Sequence, residues 1–341
     1  MLEGAKGIRQ ARPLLGPMHC LVTGADGFIG SHLVEALLDW DGCDHVTALV
    51  HHEPVRWLTD TRHPYKLTII SGNVQRTSSL AHLPDADVVF HLAAISSAGR
   101  CENAPEAARL TNFQGTINML NRAMEMRQLP VFVFTSTAAL YGESHYLPMD
   151  ERHPVEPNSS YTYTKMGSEM TVQAYHRDQG LPTVIVRPFN IYGPRQSTDF
   201  VIPTIVEQVL SSIQLRLGDG RPVRNFTFVT DAAQFLIRAA TASAVRGRVI
   251  NMGSRNTISI EGIVQMVLRK TGSALEPIYD IGKFREGDPT VLEMDPTMAE
   301  TLLKWWPKVP LDTGLHWTIE HFRGELGKRQ AQAAEDLYGS Y

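Results

Sequence analysis

Tyr161 and Lys165 lie four positions apart in the stretch Ser160-Tyr161-Thr162-Tyr163-Thr164-Lys165. On a helix that spacing sets both side chains on one face, one turn apart. Tyr163 is turned about 200° from Tyr161 and cannot share the lysine. A phenol, with an ordinary pKa of about 10, is a poor base at neutral pH. Close cations favour the phenolate, and bringing its pKa to about 7 takes roughly 4 kcal/mol, within reach of two such charges shielded from water. An ordinary amphipathic helix can carry the same pair, so its meaning depends on what stands beside it.

A second chemical feature is Thr23-Gly24-Ala25-Asp26-Gly27-Phe28-Ile29-Gly30. It follows the apolar run Cys20-Leu21-Val22 and precedes Leu33, Val34, Leu37 and Leu38 at helical spacing, so it is a turn from strand to helix. Such a turn needs a residue tolerant of positive φ, and a pyrophosphate can approach the backbone only where no side chain intervenes. The third glycine lets the helix pack closely on the strand, and the helix N-terminus offers unpaired N–H groups with a partial positive charge. The loop therefore predicts dinucleotide binding. Its spacing is Gly-x-x-Gly-x-x-Gly, not the commoner Gly-x-Gly-x-x-Gly. A nicotinamide ring would supply the second cation beside Tyr161.

These groups need a frame, and the hydrophobic pattern provides one. Apolar runs at 46–50, 67–70, 88–92, 131–134 and 183–186 read as further strands, with helices predicted over 104–127 and 161–177. Strands that are apolar throughout, separated by helices, indicate a parallel sheet covered on both faces. Past Pro188 the rhythm changes to loops rich in Pro and Gly among shorter elements. That region suits a smaller α/β lobe over the carboxyl ends of the sheet, where ligands bind in such folds. The expected organisation is a flexible extension over 1–17, a dinucleotide-binding domain over 18–188 to which 225–253 returns, and a substrate lobe from 189–224 and 254–341.

Composition excludes other classes. The 341 residues are 43% hydrophobic and 20% charged, as in ordinary globular proteins. A net charge of −4 gives no field to attract a polyanion, so nucleic acid is not expected as a partner. Cys20, Cys43 and Cys101 are too few and too scattered for a disulfide framework or zinc site. No apolar run reaches the roughly 18 residues of a membrane helix, and no signal peptide is visible, so a cytoplasmic protein with no membrane partner and no metal is expected.

Thr-Gly-x-x-Gly-Phe-Ile-Gly-Ser-His resembles the extended short-chain dehydrogenase/reductase family, and the likeness runs from Met18 to about Phe322. It implies a doubly wound (Rossmann) sheet. Phe134-Thr135-Ser136-Thr137-Ala138-Ala139-Leu140-Tyr141-Gly142 resembles the family segment that carries a catalytic hydroxyl. The resemblance makes Thr137 that hydroxyl, beside the base Tyr161 and its partner Lys165, with Ser136 next to it facing substrate. Members usually hold the adenosine ribose of NAD with an acid at the end of the second strand. Here Val50 is followed by His51 and His52, so that bar to NADP is missing, and Arg56 or a histidine could meet a 2′-phosphate. NAD is favoured, with NADP left open.

The cofactor contacts implied are Gly24, Gly27, Phe28, Ile29 and Gly30 in the loop, and His51, Asn73 and Val74 after the next strands. They continue with Leu92, Ala93, Ala94, Asn112, Thr135, Tyr161, Lys165 and Pro188. His91 reads as a packed core histidine and Asp231 as a helix N-cap. Asn190 in Arg187-Pro188-Phe189-Asn190, Arg224 in Gly220-x-x-x-Arg224-Asn225-Phe226 and Arg285 in Arg285-Glu286-Gly287-Asp288-Pro289 match positions that hold the diphosphate of a nucleotide sugar. Guanidinium forks suit phosphate oxygens. A UDP-sugar is the foremost expected partner.

Ala138 and Ala139 discriminate between reactions. By the resemblance, sugar 4,6-dehydratases carry Asp-Glu at these places and decarboxylating members a glutamate at the second. Without them, oxidation and reduction at one carbon remain. That favours the nucleotide-sugar 4-epimerase branch. A reductase of a 4-keto sugar with NADP is the alternative, and an idle dinucleotide sensor a weaker one. The resemblance further implies a homodimer through the two predicted helices, although Ile117, Leu120, Met124 and Met170 could equally be intrachain core.

Overall fold

The computed structural model describes residues 16–51, 55–212, 214–280 and 290–338. Its frame is a seven-stranded parallel sheet made of β1 (Met18–Thr23), β2 (Cys43–Val50), β3 (Leu67–Ser71), β4 (Val88–His91), β5 (Val131–Thr135), β6 (Thr183–Pro188) and β10 (Val249–Met252). The order is β3-β2-β1-β4-β5-β6-β10. The chain winds outward from β1 to β3, then returns to the far side of β1 with β4. The strand order thus reverses between β1 and β4, opening a crevice at their carboxyl ends.

Both faces are covered, and this is why the strands show no polar alternation. Cys20, Val22, Val88, Phe90, Val131 and Val133 face one core with Leu33, Val34 and Leu37 of α1 (Phe28–Leu38) and with Phe235 and Leu236 of α8 (Val229–Thr241). The intervening Leu21, Val89, Phe132 and Phe134 face a second core with Met119, Leu120 and Ala123 of α5 (Gly115–Glu125) and Val172 of α6 (Ser160–Gln179). Two periods of two, both apolar, read as a continuous apolar run.

The predicted helix over 104–127 is divided. Short α3 (Ala98–Asn103) and α4 (Pro105–Ala108) follow the brief α2 (Thr77–Leu80), and a π-helical stretch at Arg109–Gln114 leads into α5. Inside that stretch the Asn112 carbonyl accepts from the Thr116 and Ser168 hydroxyls, at 2.6 and 3.0 Å. Local periodicity cannot register such a widening, which accompanies bonds to α6.

Beyond β6, β9 (Val223–Phe228) gathers β7 (Asn190–Tyr192), β11 (Thr257–Ser259) and β13 (Val291–Leu292) into a second sheet. β8 (Leu215–Leu217) pairs with β12 (Pro277–Tyr279). Helices α7 (Val201–Ser211), α9 (Ile260–Thr271), α10 (Thr297–Leu303) and α11 (Leu311–Tyr338) complete the helices of this part among the described residues. Within 225–253, α8 and β10 lie with the large sheet, while β9 stays in the small one. Among the described residues no helix is long and apolar enough to cross a membrane. No group of three or more His, Cys, Asp or Glu among them is placed to hold a metal ion. The three cysteines are buried and free.

Candidate active site

The glycine turn fills the crevice where the strand order reverses. Gly24 has φ +66°, and a Cβ there would lie 2.8 Å from the Ala93 backbone nitrogen, across the crevice. Gly27 is the N-cap of α1 and donates its N–H to the Gly24 carbonyl at 3.0 Å. A Cβ on Gly30 would sit 2.1 Å from that carbonyl oxygen, so α1 reaches the strand end only as bare backbone. The first turn of α1, with Phe28 and Ile29, has no side-chain cap and no acidic residue. This is a cradle that side chains would fill, with helix N–H groups left to an anion. The residues fit a dinucleotide pyrophosphate.

Around the cradle, Thr23 Oγ1 accepts from the Ala93 amide at 3.2 Å and meets His91 Nδ1 at 2.8 Å. His91 Nε2 lies 3.1 Å from Thr116 Oγ1. Burial, reinforced by the Lys165 charge, drives His91 down to about 3, so it stays neutral in the core. Leu92 and Ala94 flank Ala93, half-buried or nearly so, at the mouth of the crevice. Asn73 is half-buried and accepts the Gln75 amide, and Val74 is pinned by the Asn118 amide on its carbonyl. His51 is exposed at the end of β2, and His52 lies outside the described residues. Sequence reasoning missed Asp26, whose carboxylate accepts the Arg56 and Trp57 backbone amides, both at 2.8 Å. It ties the segment after β2 to the glycine turn.

The second half of the site is assembled from side chains. Thr135 ends β5, and the Ser136 amide donates to the Val186 carbonyl of β6 at 2.7 Å. Thr137 Oγ1 caps the following turn by accepting the Ala139 amide at 3.1 Å. Ser159 caps α6 in a reciprocal pairing with Thr162, and Glu102 of α3 accepts from the Ser160 amide at 2.7 Å and hydroxyl at 3.2 Å. This fixes the turn that carries Tyr161. Tyr161 stands beside Thr137, while Tyr163 is 62% exposed on the other side of the helix. Lys165 is buried, donates to the Thr135 carbonyl at 2.7 Å, and lies 4.8 Å from the Phe134 ring centre.

The phenolate is expected from two cations, Lys165 and a nicotinamide ring, and of these the protein supplies the lysine. Burial pushes the Tyr161 phenol up to about 12, against the opposing pull of the Thr137 hydroxyl. Burial also pushes Lys165 down to about 8, although the Glu169 carboxylate favours its charge. The lysine is directed at a backbone carbonyl, so the protein alone desolvates both groups without making the tyrosine a base. Thr135 Oγ1 and Ser136 Oγ are buried without a hydrogen-bond partner among the described residues. They are groups that a polar ligand would satisfy.

Ala138 belongs to a buried apolar cluster with Tyr141, Met149, Phe189, Leu292 and Met294, whereas Ala139 is exposed. Behind this edge, Arg187 and Glu169 form a buried two-pronged ion pair at 2.9 and 2.7 Å, with the guanidinium 4.9 Å from the Tyr141 ring centre. Tyr141 donates to Asn251 Oδ1 at 2.6 Å. Glu169 and Asn251 were not singled out from the sequence, where each is an isolated residue, and Tyr141 and Arg187 enter it only as members of longer segments. Pro188 closes β6 beside them. The Asn112 side chain is committed to protein partners. It accepts the Ile95 amide and donates to the Ile95 carbonyl and Thr164 Oγ1, bracing the loop after β4 against α6.

Of the diphosphate candidates, Asn190 donates to the Asn225 carbonyl at 3.2 Å. Arg224 is buried on β9, next to β13, and donates to the Val223 carbonyl at 2.9 Å. Arg285 lies outside the described residues. Asp231 is not the N-cap expected of it. Phe228 holds that position, and the Asp231 carboxylate accepts the Lys308 and Val309 amides at 3.0 and 2.9 Å. A distant loop claims it.

Residues 21–318 match the family model described as GDP-mannose 4,6 dehydratase. A putative UDP-glucose 4-epimerase of Methanocaldococcus jannaschii is 30% identical over 86% of this chain and 95% of its own. A UDP-N-acetyl-alpha-D-glucosaminuronate decarboxylase of Bacillus cytotoxicus is 33% identical over 89% of this chain and 97% of its own. Among solved structures, a UDP-glucuronic acid 4-epimerase from Bacillus cereus in complex with UDP-glucuronic acid and NAD superposes with a TM-score of 0.81. It is 29% identical, covering 90% of this chain and all of that one.

Proposed function

Because the chain belongs to the GDP-mannose 4,6 dehydratase family, among the extended short-chain dehydrogenase/reductase enzymes of nucleotide sugars, we propose that it epimerises a nucleotide diphosphate sugar at C4 with NAD as cofactor. The observation that carries this reading is the setting of Thr137 and Tyr161. They meet at the carboxyl edge of the sheet with Ala138 packed in apolar side chains and Ala139 turned to solvent. Neither position offers an acid or base for eliminating water or for steering a carboxylate. What remains is a hydroxyl, a phenol and a lysine, sufficient for moving one proton and one hydride at a single carbon.

Gly24, Gly27 and Gly30 would hold the pyrophosphate, and Tyr161 and Lys165 the nicotinamide ribose. Bound there, the nicotinamide supplies a hydride acceptor and donor, and a positive charge that favours the phenolate. Tyr161 takes the proton of the C4 hydroxyl while Thr137 holds that oxygen, and C4 gives up its hydride. The 4-keto sugar turns about its diphosphate, anchored by Arg224, Asn190 and Arg285, and takes the hydride back on its other face. Tyr161 returns the proton. The electron count closes within each turnover, which suits a retained NAD better than an exchanging NADPH.

Incubation with UDP-glucose, UDP-glucuronate and their N-acetyl analogues, followed by proton NMR, tests the proposal. Inversion at C4 of at least one is expected. No inversion with any of them, with net NADPH consumption on a 4-keto sugar, would overturn it. We also read the protein as a cytoplasmic homodimer: Leu120 is core, but Tyr163 and Met170 on α6 are largely exposed.

A further inference from the structure

Among the described residues the end of β2 offers no carboxylate that would reject a 2′-phosphate, and a guanidinium follows at Arg56. Arg56 is bound through its backbone amide to Asp26, between Gly24 and Gly27, so it springs from the rim of the pyrophosphate cradle. Left free there, an arginine would grip a 2′-phosphate on the adenosine ribose. It is drawn elsewhere. The Arg56 guanidinium lies 4.4 Å from the Trp57 ring centre and 3.6 Å from the Glu325 carboxylate on α11. The same indole packs against His321, one helical turn before Glu325, with ring centres 5.8 Å apart. A long C-terminal helix thus seats itself on the segment that follows β2.

Glu325 is suited to this role. Its side chain is 22% exposed, against 61% for Arg56, so the carboxylate is the better-shielded partner. Burial pushes its carboxyl up, but Lys328, His321 and Arg56 together outweigh that and hold it below its ordinary value. It stays an anion at neutral pH. Lys328 shares it, at 3.1 Å.

We propose that Glu325 sets the dinucleotide preference of this protein by holding Arg56 off the adenosine ribose, so that a 2′-phosphate finds no free guanidinium there. The inference rests on the reading that the glycine turn holds a nicotinamide dinucleotide. It assigns the specificity of that site to an ion pair that spans about 270 positions of the chain. Specificity then depends on the affinity lost by NADP through an arginine already engaged.

The test is isothermal titration calorimetry of the full chain with NAD and with NADP, for wild type, Glu325→Gln, Arg56→Ala and the double variant, with melting curves to verify folding. Wild type is expected to prefer NAD. Glu325→Gln should bind NADP roughly two- to fivefold tighter, with NAD affinity unchanged. Arg56→Ala should leave NAD binding intact, and the double variant should lose the gain. An unchanged NADP affinity in Glu325→Gln, or a gain that survives removal of Arg56, overturns the inference and leaves the dinucleotide reading standing. A wild type that binds neither dinucleotide overturns both.

Discussion

The glycine turn and the edge that carries Thr137, Tyr161 and Lys165 lie at the same end of one sheet but are built by opposite means. At the turn the side chains are absent, and what acts is backbone: Gly24 passes Ala93 and Gly30 passes the Gly24 carbonyl at distances that a Cβ forbids. At the edge nearly everything is side chain, delivered by β5, α6, the π-helical stretch and α3. A backbone site is prepared by folding alone. A side-chain site must also be held in shape and desolvated, and here burial moves Tyr161 up and Lys165 down, away from catalytic readiness. On the proposed function, the edge would be completed by its ligands, while the turn would be ready before they arrive.

That contrast can be broken at three points. The largest effect is expected at the edge. Tyr161→Phe should lower kcat by about 10²–10⁴ while melting temperature and dinucleotide affinity stay at wild-type values. A variant with parental turnover would mean that another group is the base.

The turn should respond in the reverse sense. Gly30→Ala places a methyl against the Gly24 carbonyl and should cost about 1–3 kcal/mol of stability, with dinucleotide binding lost alongside. Urea unfolding and calorimetry read the two together, and unimpaired binding would show that the cradle is not steric.

The smallest effect concerns pH. Lys165 is at about 8 in the folded protein and 10.5 as a free side chain, so between these values the unfolded chain binds more protons. Stability carried by this group is therefore lowest below pH 8 and rises toward pH 10.5. Relative to Lys165→Met, wild type should gain on the order of 1 kcal/mol between pH 7.5 and 9.5 in urea melts. A flat difference would mean that the lysine is less desolvated than its contacts imply. Tyr161, shifted upward, opposes this trend only above pH 10.

Much of the site was legible before folding. The two-sided cores explain why β1, β4 and β5 read as unbroken apolar runs, and the four-residue step from Tyr161 to Lys165, with Tyr163 turned outward, followed from helix geometry. Other features were illegible because their partners are remote. The predicted helix over 104–127 is broken where Asn112 bonds to α6. Asp231, read as a cap from its local position, serves the backbone at Lys308 and Val309. The buried pair of Arg187 and Glu169, and the hold of Glu102 on Ser160, join residues that no short-range pattern links.

The amino-acid sequence alone determined the kind of site: a cradle of glycines and one face of a helix carrying a phenol and an amine. These are matters of sterics and periodicity within a few residues. Tertiary structure alone decided how charged that site is and which groups hold it. Lys165 faces a β5 carbonyl, Ala138 packs with Met149 and Met294, and Arg56 lies 3.6 Å from the Glu325 carboxylate. Desolvation and ion pairing depend on what the rest of the chain brings within a few ångströms, and only folding sets that distance.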